Sequence, residues 1–297
     1  MTTGPDDLSS GPRDESAAAT DPQVAAPPGG RALAVAKRAA ELGLWTRVGV
    51  QRRVEARRGR PRPAPSSVPP TGVLQDAAEW RRATAEARSL RLPLHRDRPK
   101  NWDALGAVAA VLDLADDGSR TASVLDAGSA RYSPVLPWLR LYGLGSGPSR
   151  LIGINLEFGK PVRRDGVLFR AGDATATGLA DASLDAVTCM SVIEHGVPLR
   201  PFLAECARIL RPGGVLVVST DYDEDPPDTT GVTAYGTPVH IFSPAEIRSF
   251  VADAATLGLA LVGDLDEPGA LAHPSRPVHW KRTGLDYTFV LLTFRRA

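Results

Sequence analysis

One segment, residues 124–157, constrains the fold more than any other part of the chain. It reads VLDAGSARYSPVLPWLRLYGLGSGPSRLIGINLE. An apolar run ends at Asp126, a turn containing Gly128 follows, and a helical stretch leads to a second apolar run from Leu151 to the polar Asn155. This order predicts a strand, a glycine turn, a helix and a second strand, a unit that can cradle a nucleotide. A single glycine turn does not identify the ligand, so other motifs must do so.

Composition and cysteine content narrow the class of protein. The 297 residues are 43% hydrophobic and 23% charged, as in soluble globular proteins, and the formal net charge is +1. A charge so near zero gives no general argument for a nucleic-acid partner. Cys189 and Cys206 both lie in apolar segments, which predicts buried free thiols in a reducing compartment. No apolar run approaches the roughly 18 residues of a membrane span, and the N-terminus lacks a signal-peptide core, so we predict a cytoplasmic protein.

The first 73 residues differ in composition from the rest. Residues 1–30 are rich in Asp, Ser, Ala and Pro, which predicts a disordered tail. The sequence of residues 31–73 predicts a basic helical extension that ends in a proline-rich linker. Residues 74–297 are therefore predicted to form the functional domain, beginning with helices that could serve as a lid.

The basic extension contains a cluster of arginines. Seven of them lie between Arg47 and Arg62, and the tetrapeptide RGRP at 58–61 resembles the core of an AT-hook. Such an arm could enter a minor groove or follow phosphates. We favour a solvated linker, because a single short match without repeats is weak evidence. The segment 47–62 is thus the only hint of nucleic-acid binding.

After Glu157 the chain alternates apolar runs with helical spacing. Strands are predicted at 167–170, 185–191 and 215–219, helices at 199–210 and 243–257, and two antiparallel strands at 259–262 and 287–294. Ser243 and Glu246 form a predicted capping box. Before the glycine turn, helices are predicted over 75–89 and from a cap at Asn101. The alternation predicts an α/β fold around a parallel sheet.

Four motifs together resemble a known family. They are VLDAGS at 124–129, GDAT at 172–175, LADASLDAVTCMSVIEHG at 179–196 and RILRPGGVLVVST at 208–220. In this order they resemble class I S-adenosylmethionine-dependent methyltransferases with a type 11-like domain, over about residues 100–297. The resemblance implies a Rossmann-like, doubly wound, mostly parallel seven-stranded sheet with an antiparallel last strand. It also implies S-adenosylmethionine as methyl donor.

The donor site is expected where the carboxyl ends of the parallel strands meet. The residues placed there are Asp126, Gly128, Ser129, Asn155, Glu157, Asp173, Ala174 and Ser191. Gly128 would let the backbone approach the methionine part of the donor. The resemblance implies that Asp126 lies near the amino group of the donor. It further implies that Asp173 receives the adenine amino group and that Ala174 contributes its backbone.

Two positions depart from the family pattern. Asn155 stands where the family usually has an aspartate for the ribose hydroxyls, with Glu157 two residues later. Because side chains two apart on a strand share a face, Glu157 could replace the missing acid, and we favour it. Ala130 stands where a second glycine is usual, which is tolerable only if its φ is negative.

Methyl transfer to a hydroxyl requires a group that accepts the proton. The candidates are His240, which we favour, His195 after the fourth predicted strand, and Asp221 at the end of the fifth. A structural or pocket-wall role is favoured for His195, because histidine is common at this place in the family without being the base.

The segment 222–242 is long for a connection between a strand and a helix, so we expect the acceptor to dock there against Tyr222, Tyr235 and His240. The neighbouring acidic run, residues 221–225, could bind a divalent cation. A solvated acidic loop is favoured, and no metal is predicted.

The sequence predicts an S-adenosylmethionine-dependent methyltransferase of a small-molecule acceptor, by O-methylation of a saccharide or secondary metabolite. One alternative is a catalytically inactive binding or regulatory protein, suggested by Ala130 and Asn155. A second is a nucleic-acid methyltransferase, which deletion of residues 1–70 would test. No pattern in the sequence predicts the oligomeric state.

Overall fold

A computed structural model describes residues 30–58, 62–146, 150–234 and 236–297 of the chain. Three sequence-based expectations fall at least partly outside these ranges. They concern residues 1–29 of the predicted tail, residues 59–61 of the RGRP tetrapeptide, and the predicted acceptor contact Tyr235.

Six α-helices and twelve strands are formed by the described residues. The helices are α1 (Gly30–Arg58), α2 (Ala77–Ser89), α3 (Lys100–Ala110), α4 (Val135–Leu141), α5 (Leu199–Ile209) and α6 (Pro244–Thr256). The strands are β1 (Gly72–Val73), β2 (Val124–Ala127), β3 (Leu151–Asn155), β4 (Val162–Arg164), β5 (Val167–Ala171), β6 (Leu184–Met190), β7 (Leu210–Tyr222), β8 (Thr233–Ala234), β9 (Thr237–Pro238), β10 (Leu259–Leu261), β11 (Val278–Trp280) and β12 (Leu285–Arg296).

Ten of these strands form one mixed sheet. Its main path runs β1-β12-β7-β6-β2-β3-β5-β4, and β10 and β11 both pair with β12. The central strands β7, β6, β2, β3 and β5 are parallel, whereas β12 lies antiparallel to β7. The predicted doubly wound, mostly parallel sheet with an antiparallel last strand is confirmed. The short strands β1, β4 and β11 extend it beyond the seven predicted.

The sheet separates two hydrophobic cores. One contains α3 and α4 with Trp102, Trp138 and Phe169, and the other contains α5 and α6 with Phe202 and Phe250. Within β7 the residues from Val215 to Tyr222 are all buried, which explains the apolar, β-branched sequence of a strand covered on both faces. Burial on both faces fixes the carboxyl ends of the strands, where the loops of the site begin.

Helix α1 confirms the helix predicted in the basic extension and packs onto the sheet. Trp45 meets Phe169 edge to face, with ring centroids 5.8 Å apart. Its Nε1 donates to the carbonyl of Arg131, 2.9 Å away. Arg164 donates to the buried Glu41 at 2.9 Å. Since Arg131 follows the glycine turn, α1 supports that turn directly.

Helix α6 begins as predicted, whereas α3 does not. The Ser243 side chain accepts from Glu246 N, and the Glu246 carboxylate accepts from Ser243 N, which completes the capping box. The predicted cap of α3, Asn101, instead lies inside the helix, which begins at Lys100. Asn101 Oδ1 accepts from His95 N at 2.8 Å, so this side chain orders the preceding loop.

Among the residues that the structure describes, no helix combines the length and the apolar character needed to cross a membrane.

Candidate functional site

The glycine turn lies between β2 and α4, at the carboxyl edge of the sheet. Gly128 has φ of +74°, and a Cβ placed on it would lie 2.5 Å from both methyl carbons of Val192. Both the backbone angle and the close packing therefore require glycine. Ala130, the departure from the family pattern, is not among the residues with positive φ, so it satisfies the condition set by the sequence.

Asp126 occupies the end of β2 and is 2% exposed. Its Oδ1 accepts from the Thr188 hydroxyl at 2.7 Å. Burial raises the pKa of Asp126 to about 6, although hydrogen bonds from Ser129 and Thr188 act in the opposite direction. A carboxyl held in this way can receive a cationic or hydrogen-bonding group of a ligand with little rearrangement.

Asn155 ties the glycine turn to the end of β3. Its Nδ2 donates to the carbonyls of Gly128 and Ser129, each at 3.2 Å, and its Oδ1 accepts from Glu157 N at 2.9 Å. Because β3 ends at Asn155, residues 155 and 157 do not share a strand face, and that part of the sequence argument is wrong. Glu157 lies in an exposed turn, and its role stays a prediction.

The remaining predicted donor residues lie on loops at the same edge of the sheet. Asp173 Oδ1 accepts from the backbone and hydroxyl of Thr175, at 2.7 and 2.8 Å, so this carboxylate closes a turn. Ala174, beside it, packs against the second core. Ser191 follows β6 with φ of +52°, a strained value for a residue other than glycine. Its Oγ is buried and makes no hydrogen bond within the described structure.

A small cavity of about 50 Å³ adjoins the turn. It is lined by Asp126, Gly128 and Ser129 together with His95, Lys100 and Asp103 from α3 and the loop before it. Sequence reasoning suggested a lid here but missed His95. That histidine lies in an irregular loop, and its position depends on Asn101, so no local pattern marks it.

A buried charged cluster extends from this cavity between α3 and the sheet. It comprises Lys100, Asp103, Glu194, Asp221 and Tyr287, and the Asp103 carboxylate accepts from the Ser219 hydroxyl at 2.8 Å. Burial raises the pKa of Asp221 to about 7 and raises that of Glu194 well above its ordinary value. Burial alone would lower the pKa of Lys100, but the charges of Asp103, Asp221, Glu194 and Asp97 outweigh it and leave that pKa raised. The cluster therefore favours a charged lysine at neutral pH.

The two histidines predicted as bases occupy different places. His195 is half-buried beside Trp280, with ring centroids 6.2 Å apart, and burial together with the charge of Lys100 lowers its pKa. His240 is half-buried, and its Nε2 lies 2.9 Å from a Glu246 carboxylate oxygen. It lines a groove beside α6 and is not among the residues that line the cavity at the glycine turn.

The acidic run at the end of β7 is solvated only in part, since Asp221 and Asp223 are buried and Glu224 and Asp225 are exposed. Tyr222 is fully buried, and its hydroxyl donates to the Leu271 carbonyl at 2.7 Å, so the structure does not present it to an acceptor. Asp223 is 1% exposed and accepts two bonds from the Arg276 guanidinium, at 2.6 and 2.9 Å. No group of three or more potential metal ligands occurs among the described residues.

A larger cavity, of about 550 Å³, opens next to the small one. His95 and Pro134 line both cavities, and Tyr132, also near the glycine turn, lines the larger. The opposite wall is formed by α1. A molecule in the larger cavity would therefore lie beside a molecule held at the turn.

The residues at the carboxyl edge fit S-adenosylmethionine. Gly128 leaves the backbone open to close approach, Asp126 offers a preformed buried carboxyl, and Ser191 carries a buried hydroxyl without a hydrogen-bond partner in the described structure. The carboxylates of Glu157 and Asp173 are exposed and do not line the small cavity.

Comparison with known proteins agrees with this geometry. Residues 127–218 match the family model of a methyltransferase domain. The chain is 36% identical over 140 residues to a demethylmenaquinone methyltransferase of Beutenbergia cavernae, covering 47% of this chain and 46% of that protein. It is 29% identical over 160 residues to a ubiquinone biosynthesis O-methyltransferase of Rhizobium leguminosarum bv. trifolii, covering 48% and 58%. The matched regions thus span about half the length of these curated relatives.

Among solved structures, geranyl diphosphate C-methyltransferase from Streptomyces coelicolor A3(2) resembles the chain with a TM-score of 0.47 and 17% identity, covering 76% of this chain and 92% of that one. The motifs and the strand order agree with the match of residues 127–218, which carry an S-adenosylmethionine-dependent methyltransferase domain of class I.

Proposed function

We propose that this protein transfers the methyl group of S-adenosylmethionine to a hydroxyl of a small-molecule acceptor. The observation that carries the proposal is the shared lining of the two cavities by His95 and Pro134. One cavity holds the glycine turn, and the other has the volume of a ligand pocket. Juxtaposition of two reactants in this way supplies much of the rate of a displacement reaction.

Residues at the carboxyl edge would hold the donor. When bound, S-adenosylmethionine supplies a methyl group activated by its sulfonium. Asp126 would receive the amino group of the donor, and Asp173 the adenine amino group, as the family resemblance implies. We propose Glu157 rather than Asn155 for the ribose hydroxyls, because the Asn155 amide is already committed to the glycine turn.

His95 is placed to accept the proton of the acceptor hydroxyl. Its Nδ1 lies 3.0 Å from the Asp97 carbonyl and 3.1 Å from Asp97 N, so it can donate to the carbonyl or accept from the amide. We propose the tautomer that donates to the carbonyl, in which Nε2 carries the free lone pair. Burial lowers the pKa of His95, so the ring is neutral at pH 7 and able to act as a base. His195, His240 and Asp221 stay predictions for the same role.

The first experiment identifies the acceptor. The protein is incubated with donor carrying a deuterated methyl group and with fractionated extract of the source cells, and products that gain the label are found by mass spectrometry. Calorimetry with S-adenosylhomocysteine tests donor binding separately. If the protein does not bind S-adenosylhomocysteine, the alternative of a catalytically inactive binding protein is favoured. If it binds S-adenosylhomocysteine but no small molecule gains the label, the proposed class of acceptor is wrong.

The second experiment tests the base with the identified acceptor. His95→Gln should lower kcat by about a hundredfold and remove the acidic limb of the pH-rate profile, because a general base contributes about 10²- to 10⁴-fold. Its affinity for S-adenosylhomocysteine should be unchanged. If His240→Ala or His195→Ala removes the acidic limb instead, the proton acceptor is that histidine.

A further inference from the structure

We propose that the cavity between α1 and the glycine turn binds the acceptor, and that this acceptor combines an apolar body with an anionic group. The inference rests on the proposed methyl transfer and names the class of substrate. With about 550 Å³ the cavity lies within the usual range for a bound small molecule. Through His95 it reaches the cavity at Gly128, where the donor would lie.

The walls of the cavity are apolar. Helix α1 contributes one wall and the loop before α3, with the start of α4, contributes the other, through Ala39, Ala40, Leu44, Pro93, Leu94 and Pro134. A saccharide would bury hydroxyl groups against such walls without hydrogen bonds, which is unfavourable. A flat or elongated hydrocarbon has no hydroxyl groups to bury, so the walls favour it over the predicted saccharide.

The charged residues of the lining are mostly cationic. Three arginines, Arg47, Arg96 and Arg282, line the cavity against a single acid, Asp97. All four are exposed, which places the charge toward solvent rather than toward Gly128. An acceptor would therefore bind with its anionic group outward and its reacting hydroxyl inward, beside His95.

A substitution at Gly43 tests directly whether the cavity binds the acceptor. It lies on α1, lines the cavity, and a Cβ placed on it would meet no atom within 4 Å. A phenylalanine at this position can thus enter the cavity without clashing with the helix. Gly49, on the same helix, also has open space around its Cβ but does not line this cavity, so Gly49→Phe is the matched control.

The experiment measures binding of defined probes to protein saturated with S-adenosylhomocysteine. The anionic apolar probes are 6-hydroxy-2-naphthoate and octanoate, 2-naphthol is the uncharged counterpart, and maltose represents saccharides. Both anionic probes should bind with a Kd below about 1 mM, and 6-hydroxy-2-naphthoate should bind about tenfold more tightly than 2-naphthol. Gly43→Phe should abolish probe binding and Gly49→Phe should not.

Removal of charge tests the orientation. Arg47→Gln and Arg96→Gln should each weaken 6-hydroxy-2-naphthoate by about threefold, and by about tenfold together, because exposed ion pairs are individually weak. 2-Naphthol should be unaffected. The assignment would be overturned by any of four results. They are equal affinity for 2-naphthol and 6-hydroxy-2-naphthoate, tight binding of maltose, no binding of either anionic probe, and unchanged probe binding to Gly43→Phe.

Donor binding distinguishes this inference from the function on which it rests. If the wild-type protein fails to bind S-adenosylhomocysteine, the proposed methyl transfer fails whatever the probes do. If it binds S-adenosylhomocysteine but the probes behave otherwise than expected, only the acceptor class and its site fail.

Discussion

Substitution of Gly128 by alanine should destabilise the protein through two separable effects. At φ of +74° a non-glycine residue costs about 1–2 kcal/mol. The new Cβ would also lie 2.5 Å from both Val192 methyls, and overpacking of this kind costs about 1–3 kcal/mol. The free energy of unfolding should therefore fall by about 2–5 kcal/mol. Because the turn bears the proposed donor site, affinity for S-adenosylhomocysteine should fall as well.

A control and a second substitution separate the two effects. Gly178 has a similar φ of +69°, but a Cβ there would meet no atom within 4 Å. Gly178→Ala should therefore cost only about 1–2 kcal/mol. Val192→Ala, made together with Gly128→Ala, removes both clashing methyls and should recover most of the packing cost but none of the backbone cost.

The assay is urea unfolding followed by circular dichroism, with calorimetry for S-adenosylhomocysteine. A double-mutant cycle between positions 128 and 192 should give a coupling of about 1–3 kcal/mol. The reasoning is refuted if that coupling is zero, or if Gly128→Ala costs no more than Gly178→Ala.

Three further predictions concern the surroundings of the site. Trp45→Phe removes the hydrogen bond to the Arg131 carbonyl. The free energy of unfolding should fall by about 1 kcal/mol, and calorimetry should show several-fold weaker binding of S-adenosylhomocysteine. Unchanged binding would mean that α1 does not order the turn. Burial raises the pKa of Asp221 from 3.8 to about 7, so between these pH values the folded state holds a proton that the unfolded state has lost. The free energy of unfolding should therefore decline as pH rises through this range, by up to about 4 kcal/mol. Asp221→Asn should flatten this decline in urea titrations at pH 4.5 and 8. Arg276→Gln removes two hydrogen bonds to the buried Asp223 and leaves it with the bond from Asp225 N. The change should cost about 1–3 kcal/mol in thermal or urea unfolding, less than a fully buried pair, because the Arg276 side chain is 43% exposed. No loss would show that the remaining partners satisfy Asp223.

Parts of the fold that depend on local chemistry follow from the sequence. The capping box of α6 needs only Ser243 and Glu246 at the correct spacing, and both of its hydrogen bonds are present. The core of β7 is a β-branched run because the strand is covered on both faces. The glycine turn is equally local, since Gly128 supplies the positive φ that the turn requires. For these elements the residues and their immediate neighbours determine the conformation.

The positions that the sequence did not predict depend on contacts that no periodicity marks. His95 is held by Asn101, whose spacing suggested a helix cap, and no periodicity marks a histidine in an irregular loop. Tyr222 was expected to meet the acceptor, because it begins a long connection, but its hydroxyl is satisfied by Leu271, 49 residues away. The pairing of Tyr222 with Leu271 arises only once folding brings remote segments together, so composition and spacing carry no trace of it.

Helix α1 also changes how the nucleic-acid alternative must be tested. The sequence suggested an extension that could be removed, yet Trp45 and Val48 are buried in the same core as Phe169. Deletion of residues 1–70 would expose that core and remove a wall of the larger cavity. Loss of activity after the deletion would then follow from lost packing, and it would say nothing about nucleic acid.

Substitution of exposed arginines tests the nucleic-acid alternative better than the deletion does. Arg52 and Arg62 already form ion pairs within the protein, whereas Arg53 and Arg57 are exposed. Neutralising the exposed pair would remove attraction for phosphates without disturbing the core, and it would reduce the salt dependence of any nucleic-acid binding by about one unit of slope per lost contact. If such binding is absent from the full chain and the neutralised variant still methylates its acceptor, the basic run serves the protein itself. Arg52 then fastens α1 to Asp165 of the domain, where the helix supports the glycine turn and forms a wall of the proposed acceptor cavity.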